Sequence, residues 1–304
     1  MPVQPARPSS PQLGLLEVVN PPLAISAVAE CLAGACLARA SLGTVQPFLL
    51  ALASGLLFAA GSTFGYYFDR ATSASQYARR APEPGAYPTG AAWRVAWGLL
   101  LAGAVLPASA GAGAALAGIG VALLVVVYAA VTRSAWGVGF LTFGAARGVN
   151  FLLGLSAEPM GVPHYGLTAV AVAVYATGWA VLRSSRQPGA PPTTAFGALV
   201  HLVGGVAVVL HQGLRGPFYW VDALPFLVIL LALTFPRFVS AVMEGRHART
   251  AEAVQYGFLG LLLLEATLAA GYGGLLAGML VAALCGPLYL ALRRWPIPLV
   301  TEPR

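Results

Sequence analysis

Four polar side chains sit deep inside otherwise apolar stretches of this chain: Glu30, Arg147, Asn150 and Glu265. A charge isolated at the centre of a bilayer is costly, so such residues pair with one another or line a cavity. The stretches carrying Glu30, Arg147 and Glu265 run in the same direction. At 1.5 Å per residue, each of the three lies roughly 14 to 17 Å from the same, inner end of its stretch. They are therefore expected to meet at one depth as an intramembrane polar cluster, with Asn150 one turn from Arg147. Two roles stay open: a structural ion pair that holds the helices together, and the polar base of a ligand cavity. Which glutamate pairs with the arginine also stays open. A second set of groups, Arg79, Arg80, Arg183 and Arg186, lies at the inner ends of the apolar stretches. These arginines set topology, and a guanidinium also suits recognition of phosphate or carboxylate through paired hydrogen bonds. Asp69 stands beside Arg70 at an inner end too, either as a solvated acid paired with its neighbour or as a ligand to metal or substrate.

The elements that must position these residues are helices in a membrane. Of 304 residues, 58% are hydrophobic and 9% charged, against about 25% charged in an ordinary soluble domain. The apolar runs repeatedly reach the roughly 17 to 25 residues that cross a bilayer as a helix. They are continuous rather than alternating, which argues against a spanning β-barrel. Ten spans are expected, near 21–40, 46–68, 90–107, 112–131, 136–156, 164–182, 195–212, 219–235, 254–271 and 273–292. The whole chain, 1–304, reads as a single integral-membrane domain with an N-terminal tail at 1–20 and inner loops at 69–89, 183–194 and 236–253. No cleavable signal peptide is evident in the proline-bearing first twenty residues. All seventeen basic residues are arginine. On this layout fourteen lie on one side, and only Arg39 and Arg215 lie in segments on the other. By the positive-inside rule the first side is cytosolic, as are both termini, in a cell inner or plasma membrane. That bias accounts for the net charge of +7 without nucleic acid as a partner. Cys31, Cys36 and Cys285 fall within spans and read as packing residues. His201 and His211 lie about 80° off a common helical face and read likewise. Most of the tryptophans fall near span ends, where aromatic belts are expected.

Residues 61–73, GSTFGYYFDRATS, close the second span and include the run Tyr67-Phe68-Asp69-Arg70. Pro82, Pro84, Gly85, Pro88 and Thr89 follow. In order and placement these residues resemble the UbiA superfamily of intramembrane prenyltransferases. Residues 29–34, 146–154 and 260–266 resemble segments of its EboC-like branch. The likeness covers roughly spans one to nine, and the tenth is additional to the family's usual nine. It implies a UbiA-like helical bundle around a lateral, lipid-accessible cavity. In active members two aspartate-rich segments hold Mg2+, which holds the diphosphate of an isoprenoid donor, while an apolar tunnel takes the tail. The chemistry needs the cation, because carboxylates do not bind an anion directly and magnesium bridges carboxylate and phosphate oxygens.

This chain departs from that pattern at both sites. The first signature has the usual form Asn-Asp-x-x-Asp-x-x-x-Asp, and its four positions here hold Gly65, Tyr66, Asp69 and Ser73. Residues 175–192, where a second aspartate pair is expected, contain no carboxylate but supply Arg183 and Arg186. The resemblance therefore implies Asp69 as the catalytic residue and remaining metal ligand. Tyr66, Arg70, Arg79, Arg80, Arg147, Asn150, Arg183 and Arg186 follow as substrate contacts, and Mg2+ as the cofactor. The implied partners are membrane lipid and an isoprenoid diphosphate or other apolar metabolite. The leading function is transfer of a prenyl or related lipid-linked group to a small acceptor. The alternative is non-catalytic binding or transport of an apolar metabolite on the same scaffold. An ordinary secondary transporter would call for an inverted repeat or paired broken helices, neither of which the sequence displays.

Overall fold

Prolines and glycines set the joints between helices. The computed structural model describes residues 11–39, 43–76, 87–132, 137–185 and 193–297. A first helix, α1 (Pro11–Val19), ends at Asn20, whose left-handed backbone (φ 56°) turns the chain into α2 (Pro21–Leu37). Two prolines open α2, where their missing N–H groups are not needed. Then come α3 (Gln46–Gln76), α4 (Thr89–Val105), α5 (Ala112–Val127), α6 (Val138–Leu155), α7 (Gly161–Tyr165), α8 (Thr168–Ser184) and α9 (Thr194–Arg215). The order finishes with α10 (Trp220–Glu244), α11 (His247–Gly273), α12 (Leu275–Ala283) and α13 (Cys285–Arg294). A 3-10 turn, Leu106–Ala110, follows α4, and a π-helical turn, Tyr128–Thr132, follows α5.

Eight segments are long and apolar enough to cross a membrane, including the joined α12 and α13. Helices α2 and α8 have 17 residues each and lie in the interior. Each of the ten expected spans falls on a described helix, eight of them long and apolar enough to cross. Helix α11 is the hub: 89% of its most apolar window is buried, against 28% for α4, α5 and the α12–α13 segment. A helix that is apolar all round must be surrounded, and α11 packs on α2, α8, α10 and α12. The outer helices turn large apolar side chains outward, among them Leu116, Leu214, Val221 and Leu276, each more than 70% exposed. In water such a surface would aggregate; against lipid tails it is the required one. The protein is an integral membrane protein.

Close helix contacts bring the polar residues together. A Cβ on Gly154 of α6 would fall on the Cys31 carbonyl oxygen of α2, and one on Gly34 would lie 2.5 Å from the Phe151 oxygen. Only glycine permits this approach of two backbones, the small-residue packing common between membrane helices. On the other side of the hub, Tyr175 Oη and Trp179 Nε1 on α8 donate to the carbonyls of Gly257 (3.0 Å) and Val254 (2.8 Å) on α11.

Three boundaries differ from the sequence expectation. Helix α3 continues to Gln76, so the first part of the 69–89 loop is helical. The 236–253 loop is also mostly helix, because α10 and α11 are separated only by Gly245 and Arg246. Helix α10 carries Pro236 in its interior. Arg237 Nη1 beside it donates to the Leu233 carbonyl at 2.7 Å, and the helix continues to Glu244. Gly245, at φ 63°, ends it. Finally, part of the 1–20 tail is the helix α1, which packs on α3.

Candidate functional site

One face of α3 forms a wall of a cavity. Phe58, Gly61, Ser62, Gly65, Tyr66 and Asp69 line it, spaced three or four residues apart along one helical stripe. The opposite face of α3 is locked by aromatic packing. Phe64 meets Trp93 and Trp97 of α4 edge-on, with ring centroids 5.6 and 5.5 Å apart. That packing fixes the helix rotation and so aims Asp69 and Tyr66 inward. Tyr66 Oη donates to the Tyr87 carbonyl at 2.8 Å, and the Arg70 guanidinium lies 4.9 Å from the Tyr66 ring centre.

The cavity has a volume of about 530 Å³. Val125 of α5, Tyr128 and Ala129 of the π-helical turn, Phe143 and Ala146 of α6, and Trp179 of α8 complete its apolar part. A π-helical turn in the wall is a common companion of functional sites. Polar groups gather toward the mouth: Glu17 and Asn20 near α1, Asp69 on α3, Arg183 on α8 and Arg294 on α13. Residues 295–297 fold over the cavity as well. The Trp295 amide donates to the Ala291 carbonyl (2.7 Å), and Gln255 Nε2 of α11 donates to the Ile297 carbonyl (2.9 Å). The first and last described elements thus share one end of the bundle. Apolar depth with a charged mouth is the shape that holds an amphiphile by tail and head.

The intramembrane cluster lies immediately behind this wall. Arg147 Nε is 3.0 Å from Glu30 Oε1, and Nη2 is 3.8 Å from Glu265 Oε1. Nη1 donates to Ser26 Oγ at 3.1 Å. Asn150 Nδ2 donates to Glu30 Oε2 at 2.6 Å and to the Ala27 carbonyl at 3.0 Å. The arginine answers the question that spacing left open: it faces both glutamates and joins α2, α6 and α11. Glu30, Arg147, Asn150 and Glu265 are completely buried. The Phe58 ring, 5.1 Å from the guanidinium carbon, stands between Arg147 and the cavity. Arg147 and Asn150, expected as substrate contacts, therefore lie behind the lining rather than in it, and the geometry is that of an ion-paired brace.

Of the other expected residues, Tyr66, Asp69 and Arg183 line one cavity, and Arg70 stacks on Tyr66. Arg79, Arg80 and Arg186 lie outside the described residues. Glu17, Arg294 and Trp295 were not anticipated. Arg294 and Trp295 read as a topology signal and a belt residue at a helix end, and nothing in their local pattern shows that the segment turns back over the site.

The donor set does not fit magnesium bridging the two sides of the cavity. Among the described residues, the carboxylates in the lining, Glu17 and Asp69, come from α1 and α3, whereas α8 and α13 present arginines. Among the described residues no three histidine, cysteine, aspartate or glutamate side chains are grouped to hold a metal ion. Magnesium takes six oxygen ligands in near-octahedral geometry, and among the described residues the α8 side offers it no carboxylate.

No protein-family model matches the chain, and no curated protein matches it. Two solved structures do. One is a digeranylgeranylglyceryl phosphate synthase, with a TM-score of 0.63 and 14% identity, covering 86% of this chain and 99% of that one. The other is a UbiA homologue from Archaeoglobus fulgidus bound to DMAPP and Mg2+, with a TM-score of 0.52 and 16% identity, covering 88% of this chain and 99% of that one. The all-helical structure and these superpositions show the fold: the chain is an all-α polytopic membrane protein with the UbiA-like fold.

Proposed function

We propose that the protein is an intramembrane transferase that moves a prenyl or related lipid-linked group to a small acceptor, within the UbiA superfamily and near its EboC-like branch. The carrying observation is the 530 Å³ cavity, whose apolar depth ends at a mouth holding Asp69 together with two arginines. In this reading the isoprenoid tail lies among Phe58, Val125, Tyr128 and Phe143, and the anionic head stays at the mouth. The bond from the first isoprenoid carbon to the leaving oxygen breaks with its electron pair on the phosphate. The acceptor bonds to that carbon, and its proton passes to Asp69 acting as general base. Tyr66 flanks Asp69 and borders the acceptor. The arginine-rich end that contains this mouth faces the cytosol.

A second reading, binding or transport of an apolar metabolite without reaction, draws support from the scarcity of carboxylates in the mouth. A transfer assay with purified protein in lipid, radiolabelled isoprenoid diphosphates of several lengths and a panel of phenolic and alcohol acceptors separates the two. Labelled product above a protein-free control supports transfer. Saturable retention of donor or alcohol with no product from any pairing supports the second reading and rejects the first.

A further inference from the structure

The charged residues of the mouth sort onto two walls. Glu17 and Asp69 belong to α1 and α3, which pack on each other; α3 takes the rest of its main packing from α2, α4 and α5. Arg183 belongs to α8, which packs on α6, α9 and α11, and Arg294 ends α13, which packs on α2, α11 and α12. One wall is acidic and the other is basic, with the cavity between them.

The basic wall is built rather than incidental. Arg293 and Arg294 are adjacent, yet only Arg294 lines the cavity; the Arg293 guanidinium sits 5.8 Å from the Tyr289 ring centre. The segment that follows is anchored by the Gln255 side chain on the Ile297 carbonyl, and Ile297 is buried. Arg183 rises one turn above Trp179, with its guanidinium carbon 6.0 Å from that ring centre. Trp179 itself is held by its bond to Val254. Both arginines thus stand on anchored supports at the open end of an apolar cavity.

We propose that Arg183 and Arg294 bind the phosphate head of the ligand directly and without magnesium, and that the C-terminal segment is thereby a working wall of the site. Two guanidinium groups supply the positive charge that a carboxylate–cation bridge would otherwise bring. They hydrogen-bond phosphate oxygens in pairs. Asp69, on the facing wall, is left for the acceptor, where a carboxylate beside an anion would be repulsive. The inference rests on the transfer reading only for the identity of the tail; the head chemistry, a phosphate or diphosphate ester, stands on the arginines alone.

The test measures binding, not turnover. Wild-type protein in detergent is titrated with geranylgeranyl S-thiolodiphosphate, a non-reacting donor, with inorganic pyrophosphate, and with an alkyl monophosphate, each in EDTA and in added Mg2+. We expect binding to persist in EDTA and to weaken about tenfold or more in Arg294→Gln and in Arg183→Gln. Arg215→Gln, at the opposite end of the bundle, is the surface control and leaves it unchanged. Asp69→Asn retains or tightens binding, because it removes a negative charge from the mouth. Arg294 is exposed at a helix end, so its variant keeps the fold even if Arg183→Gln does not, and thermal unfolding checks both. Binding of the alkyl monophosphate or pyrophosphate with the same arginine dependence, and none of the thiolodiphosphate, keeps the anion site and rejects the prenyl diphosphate. Binding that needs Mg2+, or that ignores loss of Arg294, overturns the proposal, as does failure of all three anions to bind.

Discussion

Arg147→Met lowers the stability of the folded protein by about 3 to 5 kcal/mol, the cost of leaving buried charge without its partner. Glu30 and Glu265 have no water to turn to, since both are completely buried. The Glu30 carboxylate keeps the Asn150 amide, and the Glu265 carboxylate is left facing Glu30. Denaturation in mixed micelles, with helix content as the signal, measures the effect. Replacing the whole set at once, Glu30→Gln with Arg147→Met and Glu265→Gln, recovers much of the loss, because a buried ion pair exchanged entire for neutral groups is often close to neutral. An Arg147→Met protein as stable as the wild type would show that the cluster does not brace α2, α6 and α11.

Asp69→Asn lowers transfer by about 10²-fold or more, the range by which a positioned general base contributes. The substitution preserves shape and removes the negative charge, and with it the ability to take a proton. Asp69 is exposed at the mouth of the cavity, so stability changes by no more than about 0.5 kcal/mol. Initial rates at saturating donor, set beside thermal unfolding of the same preparations, check both halves. A rate within threefold of wild type would remove Asp69 from the chemistry while leaving the cavity as a binding site.

What was legible in the sequence followed from long-range rules of the bilayer. Runs of about twenty apolar residues located the helices, eight of them long and apolar enough to cross, and the shared depth of Glu30, Arg147 and Glu265 gave their meeting. The means of that meeting was hidden. Gly34 and Gly154 are two of 36 glycines, and only the fold shows that their backbones touch. Helix ends were less legible for a specific reason. Polar residues and Pro236 resemble a loop locally, yet α10 runs on through them to Glu244. The cavity was half legible. Residues 65, 66 and 69 share a helical stripe, so their common wall could be read from periodicity. The return of α1 and of residues 294–297 to that cavity is a tertiary event with no periodic signature. The principal chemical surprise, an arginine opposite Asp69 contributed by the end of the tenth span, came from there.

On the proposed function, an isoprenoid chain lies in the cavity between α3 and the α5–α6 wall with its anionic head at Arg183 and Arg294. A diazirine-bearing isoprenoid diphosphate, photolysed on the protein in lipid and mapped by peptide mass spectrometry, tests this most directly. The account predicts labels on residues 58–66, 125–129 and 143–146, competed by unlabelled donor and shifting toward Phe58 and Phe143 as the diazirine is moved down the chain. Labels confined to the outward faces of α9 and α10, or gathered at the opposite end near Tyr165 and Tyr272, with no competition by donor, would contradict it.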